Sequence, residues 1–130
     1  MIANLGVMKR MRKQSILLEK SFAFTLRIVN LNKHLTEGNR EFVLSKQLLR
    51  SGTAIGALIR EAQHAEGRMA FIHKLGIAQK ECDGTLYWLD LLYQKEYLDE
   101  EEYRSIYEEA EELSQMIRSA IVTTKQMITK

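Results

Sequence analysis

The stretch DEEEYRSIYEEAEELSQMIRSAIVTTKQMI, from Asp99 to Ile128, decides the fold class. Asp99 is a good N-cap, Glu102 follows three residues later as in a capping box, and Leu98 and Tyr103 occupy the positions of a hydrophobic staple. Beyond the cap, small or apolar residues recur every three or four positions, which is the period of one helix face. This face comprises Tyr103, Ile106, Ala110, Leu113, Ile117, Ala120, Thr124 and Ile128. The stretch therefore predicts a helix that buries one side only.

Three further helices precede this one in the sequence. We expect them at residues 13–36, 40–66 and 69–93, with breaks at Gly38 and Gly67. Gly38 is expected to end the first helix by taking the left-handed conformation. The chain contains no proline, a residue that costs about 3 kcal/mol in a helix interior, so its composition favours long uninterrupted helices.

The length of 130 residues is typical of a single domain with one core. We predict an all-α, up-down four-helix bundle over residues 13–130, preceded by a flexible basic leader at residues 1–12. The only cysteine, Cys82, cannot form a disulfide within the chain, and no apolar run approaches the roughly 20 residues of a membrane span. We therefore expect a cytoplasmic protein that does not enter the membrane.

Two of the helices carry a second apolar stripe. In the first helix, Phe22, Leu26 and Val29 point nearly opposite to Phe24, Ile28, Leu31 and Leu35. A bundle of this size uses one stripe per helix, and large exposed apolar patches are uncommon on monomers, so we predict a homo-oligomer. The residues predicted in its interface are Phe24, Ile28, His73, Ile77, Trp88 and Leu91.

The helix at 40–66 carries the small-residue run SGTAIGA, in which Gly52 and Gly56 lie one turn apart. Each glycine costs about 1 kcal/mol of helix propensity, so a close contact must offset it. Close backbone packing against a neighbouring helix is the structural explanation. A ligand that approaches the backbone is the functional alternative.

Catalytic and metal-binding patterns are not found in the sequence. It contains neither a GxxxxGK[ST] phosphate loop nor a GxGxxG motif, and Glu61 and His64 form a single Glu-x-x-His where di-metal bundles need two. Cys82 lies in the apolar stripe of its helix, where a thiol is inert. We therefore predict no catalytic residue, no metal, no cofactor and no enzymatic activity.

The net charge of +2 conceals a strong polarity along the chain. Residues 1–80 hold 14 basic and 5 acidic residues, whereas residues 81–130 hold 5 basic and 12 acidic ones. Such polarity indicates a basic face for a polyanion, or complementary contacts between the two halves or between copies.

The helix at 40–66 has a basic edge opposite its apolar stripe. Lys46, Arg50 and Arg60 lie along it, and Lys74 of the next helix adds to it. We predict that these four residues bind RNA or single-stranded DNA through the phosphates, without reading the bases. The alternative is a scaffold whose oligomer surface docks a protein partner while the charges serve solubility.

The segments QLLRSGTAIGALIREA (residues 47–62), FIHKL (71–75) and IAQKECDGTLYWLDLL (77–92) resemble the four-helix-bundle family of 23S ribosomal RNA intervening-sequence proteins. The resemblance extends over the chain from about Lys13 and implies an up-down bundle that assembles as a homopentamer. The accessory protein of diversity-generating retroelements looks like a relative, which implies binding to nucleic acid and, as an alternative partner, a reverse transcriptase. The matching motif positions are Arg50, Arg60, His73 and Lys74.

Overall fold

The computed structural model describes residues 3–129, with side chains from Leu5 onward, and residues 1, 2 and 130 of the predicted ranges lie outside it. It contains four helices: α1 (Ala3–Glu37), α2 (Leu44–Gln63), α3 (Gly67–Gln94) and α4 (Glu100–Ile128). Each helix packs on the next in sequence and α1 packs on α4, whereas no Cα atoms of the diagonal pairs lie within 8 Å of each other in the described part of the chain. The predicted all-α, up-down four-helix bundle is confirmed.

The core is formed by one apolar stripe from each helix. Its largest fully buried side chains are Phe24, Ile28, Leu35, Leu48, Ile55, Ile59, Leu75, Leu89, Leu92, Ile106, Leu113 and Ile117. Burying one such side chain stabilises a fold by about 1.5–3 kcal/mol, so this set dominates the favourable free energy of folding. The stripe expected on α4 is confirmed for Ile106, Ala110, Leu113, Ile117 and Thr124, which are buried, whereas Tyr103 and Ala120 are half-buried and Ile128 is 41% exposed.

The first helix is longer than the sequence predicts. Helix α1 begins at Ala3 and not at Lys13, so the segment expected to be a flexible leader continues the helix. Residues 3–12 include one glycine and no proline, and nothing in them breaks the helical hydrogen-bond ladder. The side chains of residues 5–9 are exposed, and the first buried residue of α1 is Leu17.

Helix α2 is shorter than predicted at both ends. The carboxylate of Glu41 accepts hydrogen bonds from the backbone N–H groups of Val43, Leu44 and Ser45, at 3.2, 3.1 and 2.7 Å, which fixes the helix start. The left-handed residue of this loop is Arg40, with φ of 54°, so the prediction for Gly38 is wrong. Gly67, with φ of 85°, is the first residue of α3, and three residues separate it from Gln63, the last residue of α2.

Helix α4 begins as predicted. The side chain of Asp99 accepts a hydrogen bond from the backbone N–H of Glu102 at 2.7 Å. Leu98 is buried beside it, as expected of the residue before an N-cap.

The small residues of α2 permit a close approach to α1. A Cβ atom added at Gly52 would lie 2.9 Å from Cγ1 and Cγ2 of Ile28, and one at Gly56 would lie 2.6 Å from Oγ1 of Thr25. The structural explanation of the two glycines, close packing against a neighbouring helix, is confirmed.

Of the two apolar stripes of α1, one is buried and the other is exposed. Phe24 and Ile28 are 1% and 0% exposed in the core of a single chain, so their prediction as oligomer-interface residues is wrong. The reason is geometric, since this stripe faces the glycines of α2. The opposite stripe is free of the core, with Phe22 and Leu26 each 51% exposed and Val29 45% exposed.

Candidate nucleic-acid interface

The predicted basic edge lies on the outer surface of α2. Lys46, Arg50 and Arg60 are exposed, whereas Leu48 and Ile59 on the other side of the same helix are buried. With a rise of 1.5 Å per residue, the distance along the helix from Lys46 to Arg60 is about 21 Å. The edge is therefore long enough to follow several phosphates of an extended strand.

Arg50 is held by a carboxylate of the neighbouring helix. Its Nη1 and Nη2 atoms donate to the two Oε atoms of Glu81 on α3, at 3.0 and 3.4 Å. The Arg50 side chain is still 59% exposed. Ion pairs at such exposed positions contribute about 0–1 kcal/mol, so the guanidinium can exchange this partner for another anion at low cost.

Lys74 makes a similar ion pair, but here the cation is on α3 and the carboxylate is on α2. Its Nζ donates to Oε1 of Glu61 at 2.9 Å. This contact brings Lys74 to the α2 edge, close to the level of Arg60, where the sequence predicts it. It also engages Glu61 with a lysine, and His64 of the same Glu-x-x-His pattern is exposed.

Arg60 packs on an aromatic ring. Its guanidinium carbon lies 5.6 Å from the ring centroid of Phe22 on α1, a cation–π geometry. The two side chains border a groove between α1 and α2, whose floor is at Gly56 and Thr25. Sequence reasoning did not pair these residues, because the register of α1 against α2 depends on the close approach at the glycines.

Lys46 is the member of the edge without a carboxylate neighbour. Among the described side chains, no Asp or Glu oxygen lies within 4.0 Å of its Nζ. Two of the four predicted residues thus have an acidic partner within the chain, one stacks on a ring, and Lys46 has neither.

The charge polarity of the sequence is resolved in part by contacts between the two halves. Lys20 pairs with Glu112, and Nη1 of Arg27 lies 3.0 Å from Oε2 of Glu109, so basic α1 is joined to acidic α4. The complementary contact between the two halves, which is one of the explanations of the charge polarity, is confirmed for these pairs. Both pairs lie toward the middle of α1 and leave its N-terminal cations unneutralised.

Sequence reasoning missed a second basic region at the start of α1. Lys9, Arg10 and Lys13 border a cleft between α1 and α4. The signal is visible in the sequence KRMRK at residues 9–13, but residues 9–12 are expected in the leader, and only Lys13 is expected in a helix of the bundle.

The predicted oligomer surface on α3 lies outside the core. His73 is exposed, and Ile77, Trp88 and Leu91 are half-buried. The exposed ring of Tyr87 meets Trp88 edge to face, with 5.0 Å between centroids. The role of these residues in assembly stays a prediction.

The surroundings of Cys82 and Tyr103 raise the pKa of both side chains and so favour their neutral forms. Burial raises the pKa of Cys82 to about 12, with smaller effects from Asp83 and Glu81. The hydrogen bond from the Tyr103 hydroxyl to Oδ1 of Asp90, at 2.5 Å, raises the pKa of Tyr103, and burial adds to it. A thiol and a phenol in this state serve packing, since neither is poised as a nucleophile.

Within 3–129, no group of three or more His, Cys, Asp or Glu side chains is arranged to hold a metal ion. None of the four described helices has a stretch apolar enough to cross a bilayer.

Comparison with known proteins identifies a family and solved structures that match most of the chain. The family described as 23S rRNA-intervening sequence protein matches residues 13–119. A crystal structure from Bacteroides thetaiotaomicron, described as a protein with unknown function from the S23 ribosomal protein family, is 50% identical to this chain. It superimposes with a TM-score of 0.83, over 84% of this chain and 97% of the other. None of the curated proteins matches the chain.

Proposed function

This chain belongs to the family of 23S rRNA-intervening sequence proteins, and from that premise we propose that it is a non-enzymatic binding protein of the cytoplasm. Its ligand is RNA or single-stranded DNA, held weakly and without base readout. The contact surface is the α2 edge with Lys46, Arg50, Arg60 and Lys74.

The observation that carries this proposal is the exposure of three cations along about 21 Å of one helix edge. Cations spaced along a helix suit a phosphate backbone, because each neutralised phosphate releases condensed counterions. The lack of a base-reading arrangement on this edge fits binding without sequence preference.

The ion pairs within the chain are compatible with this role. Glu81 and Glu61 hold Arg50 and Lys74 in place while the strand is absent. Because both pairs are exposed, a phosphate can replace either carboxylate at a cost of about 0–1 kcal/mol. The affinity per chain is expected to be low for the same reason.

We propose that the chain acts as a homopentamer, which the family resemblance implies. The exposed stripe of Phe22, Leu26 and Val29 supports an assembly, since it leaves apolar surface in water on a single chain. A closed ring multiplies the weak basic edge, so avidity raises the affinity for a polyanion.

The proposal is tested by fluorescence anisotropy with a labelled RNA at about 50 mM salt, where phosphate contacts are strong. The double variant Arg50→Gln, Arg60→Gln should bind at least tenfold more weakly than the unaltered chain. The matched control is Lys33→Gln, Lys95→Gln, which removes the same charge from exposed positions off the edge. Equal affinity of the two double variants contradicts the proposal.

A protein scaffold is the second candidate, favoured by one observation. Arg50 and Lys74 already have acidic partners within the chain, so part of the edge is neutral without any polyanion. In this case the oligomer docks a protein partner, such as a reverse transcriptase, through its apolar surface. The same anisotropy experiment separates the two, because a scaffold does not bind the free RNA.

A further inference from the structure

A cleft of about 300 Å³ lies between the N-terminal half of α1 and the C-terminal half of α4. This volume is at the lower end of the range for small-ligand sites, about 300–1,000 Å³. The more deeply buried apolar residues of its lining, here called its floor, are Leu17, Phe71 and Met116, whereas Ile16 also lines it and is 38% exposed. The ion pairs that join α1 to α4, at Lys20 and Arg27, lie beyond the cleft toward the other end of the bundle.

The mouth of the cleft is strongly basic. Lys9, Arg10 and Lys13 border it, and no described Asp or Glu oxygen lies within 4.0 Å of their nitrogen atoms. The up-down topology brings Arg68 at the start of α3 and Lys125 near the end of α4 to the same end of the bundle. The positive charge is therefore larger than one carboxylate ligand needs, and it suits a polyanion.

The rim of the cleft carries groups that form hydrogen bonds. They are the carboxamide of Gln14 and the hydroxyls of Ser119 and Thr123. Together with the ring of Phe71, they offer an apolar stacking surface beside donors and acceptors. Single-stranded RNA is recognised by this combination, in which an unpaired base stacks on an aromatic ring and its phosphate meets a cation. On the α2 edge, one face of the Phe22 ring is already occupied by the guanidinium of Arg60, whose carbon lies 5.6 Å from the ring centroid.

We infer that the α1–α4 cleft takes one unpaired nucleobase of the bound strand, with the adjoining phosphates at Lys9, Arg10 and Lys13. This inference rests on the proposed function and adds to it a preference for single strands over duplexes. A fatty carboxylate would use the apolar floor and one cation, but it would leave the amide, the hydroxyls and most of the positive charge unused.

The test uses two serines on the exposed surface of α4. Ser119→Leu fills the cleft without changing the charge, whereas Ser105→Leu places the same side chain outside it. Anisotropy is measured with a labelled single-stranded RNA and with a fully paired, blunt-ended duplex that has the same number of phosphates. The unaltered chain and Ser105→Leu should prefer the single strand, and Ser119→Leu should lose about tenfold in single-strand affinity, as expected for one lost stacking contact, with duplex affinity unchanged.

A second measurement is the NMR titration of the full chain with adenosine monophosphate, which should shift the resonances of Phe71 and Ala120. Equal affinity for both RNAs, or equal behaviour of the two serine variants, overturns the inference and leaves the proposed function standing if Arg50→Gln, Arg60→Gln still weakens binding. Failure of the unaltered chain to bind any RNA overturns both. Shifts produced by decanoate and not by the nucleotide overturn the inference in favour of an amphipathic acid.

Discussion

At the scale of single residues, Glu41 caps the start of α2. Its carboxylate accepts three backbone N–H groups at the start of α2, which have no partner within the helix. Burial opposes ionisation, but these bonds with Ser45, Leu44 and Val43 outweigh it and lower the pKa of Glu41 below its ordinary value of 4.5.

We predict that Glu41→Gln lowers the free energy of unfolding at neutral pH by about 1 kcal/mol, because an uncharged amide caps the helix less well. Since the folded pKa is depressed, the contribution of Glu41 is fully present above pH 4.5 and is lost as the pH falls through the folded value. Urea unfolding at a series of pH values checks this.

The control for this experiment is Glu37→Gln at the exposed end of α1. It should unfold like the unaltered chain at every pH. A difference between Glu41→Gln and the unaltered chain that stays constant down to pH 2 would show that the titration of Glu41 does not stabilise the fold.

At the scale of helices, the contact between α1 and α2 depends on glycine. We predict that Gly52→Ala destabilises the fold by about 1–3 kcal/mol, because the new methyl group meets the fully buried Ile28. Gly76→Ala in α3 is the matched control, since nothing lies within 4 Å of its added Cβ. It should stabilise the fold by about 0.5–1 kcal/mol through helix propensity alone.

Thermal unfolding of the two glycine variants gives the comparison directly. A melting temperature that falls in Gly52→Ala and rises in Gly76→Ala supports the close packing of α1 against α2. If Gly52→Ala is as stable as Gly76→Ala, then α1 and α2 do not approach as closely as described.

The helices that sequence reasoning placed best are those whose signals are local. The cap at Asp99 and the period of α4 involve neighbours in the chain, so both could be predicted from the order of residues alone. The start of α2 could not, because it depends on the side chain of Glu41 folding forward onto the backbone. The extent of α1 was missed because a run of cations suggested a leader, although the run contains no helix breaker.

In the candidate site too, local features could be predicted from the sequence, whereas contacts between helices could not. The positions of Lys46, Arg50 and Arg60 on one edge follow from the helical period and were predicted. The partners of these residues, such as Glu81 and Phe22, depend on the registers of adjacent helices, which no local pattern specifies. Helix α1 has two opposite apolar stripes, and the sequence of α1 does not indicate which of them faces the core. The stripe with Phe24 and Ile28 faces inward because the glycines of α2 leave room for it, with Ile28 against Gly52.

At the scale of the whole molecule, the exposed stripe of α1 should govern assembly. We predict that Leu26→Glu shifts the protein to smaller species, because it places a charge in an interface where it has no partner. The side chain is half exposed in the single chain, so the variant should still fold. Phe42→Glu, at an exposed residue of the α1–α2 loop, is the matched control.

Light scattering measures the outcome. The unaltered chain and Phe42→Glu should give five times the 15.1 kDa chain mass, and Leu26→Glu a smaller value. A monomeric unaltered chain contradicts the proposed pentamer.

The positions of the cations predict how the affinity for RNA depends on salt. Ion pairs between α1 and α4 neutralise cations in the middle of α1, whereas Lys46 and Arg60 on the α2 edge and the cations at the start of α1 have no Asp or Glu oxygen within 4.0 Å among the described side chains. If the edge contacts RNA through phosphates, each contact must release counterions, and the affinity must fall with salt in proportion to their number.

The salt dependence of RNA affinity is therefore the most direct test of the account. For the unaltered chain, the logarithm of the association constant should fall linearly with the logarithm of the salt concentration, with a slope of about −0.7 per phosphate contact for a single strand. The variant Arg50→Gln, Arg60→Gln should flatten that slope by about one to two units. Parallel lines for the two proteins would contradict phosphate binding by the α2 edge.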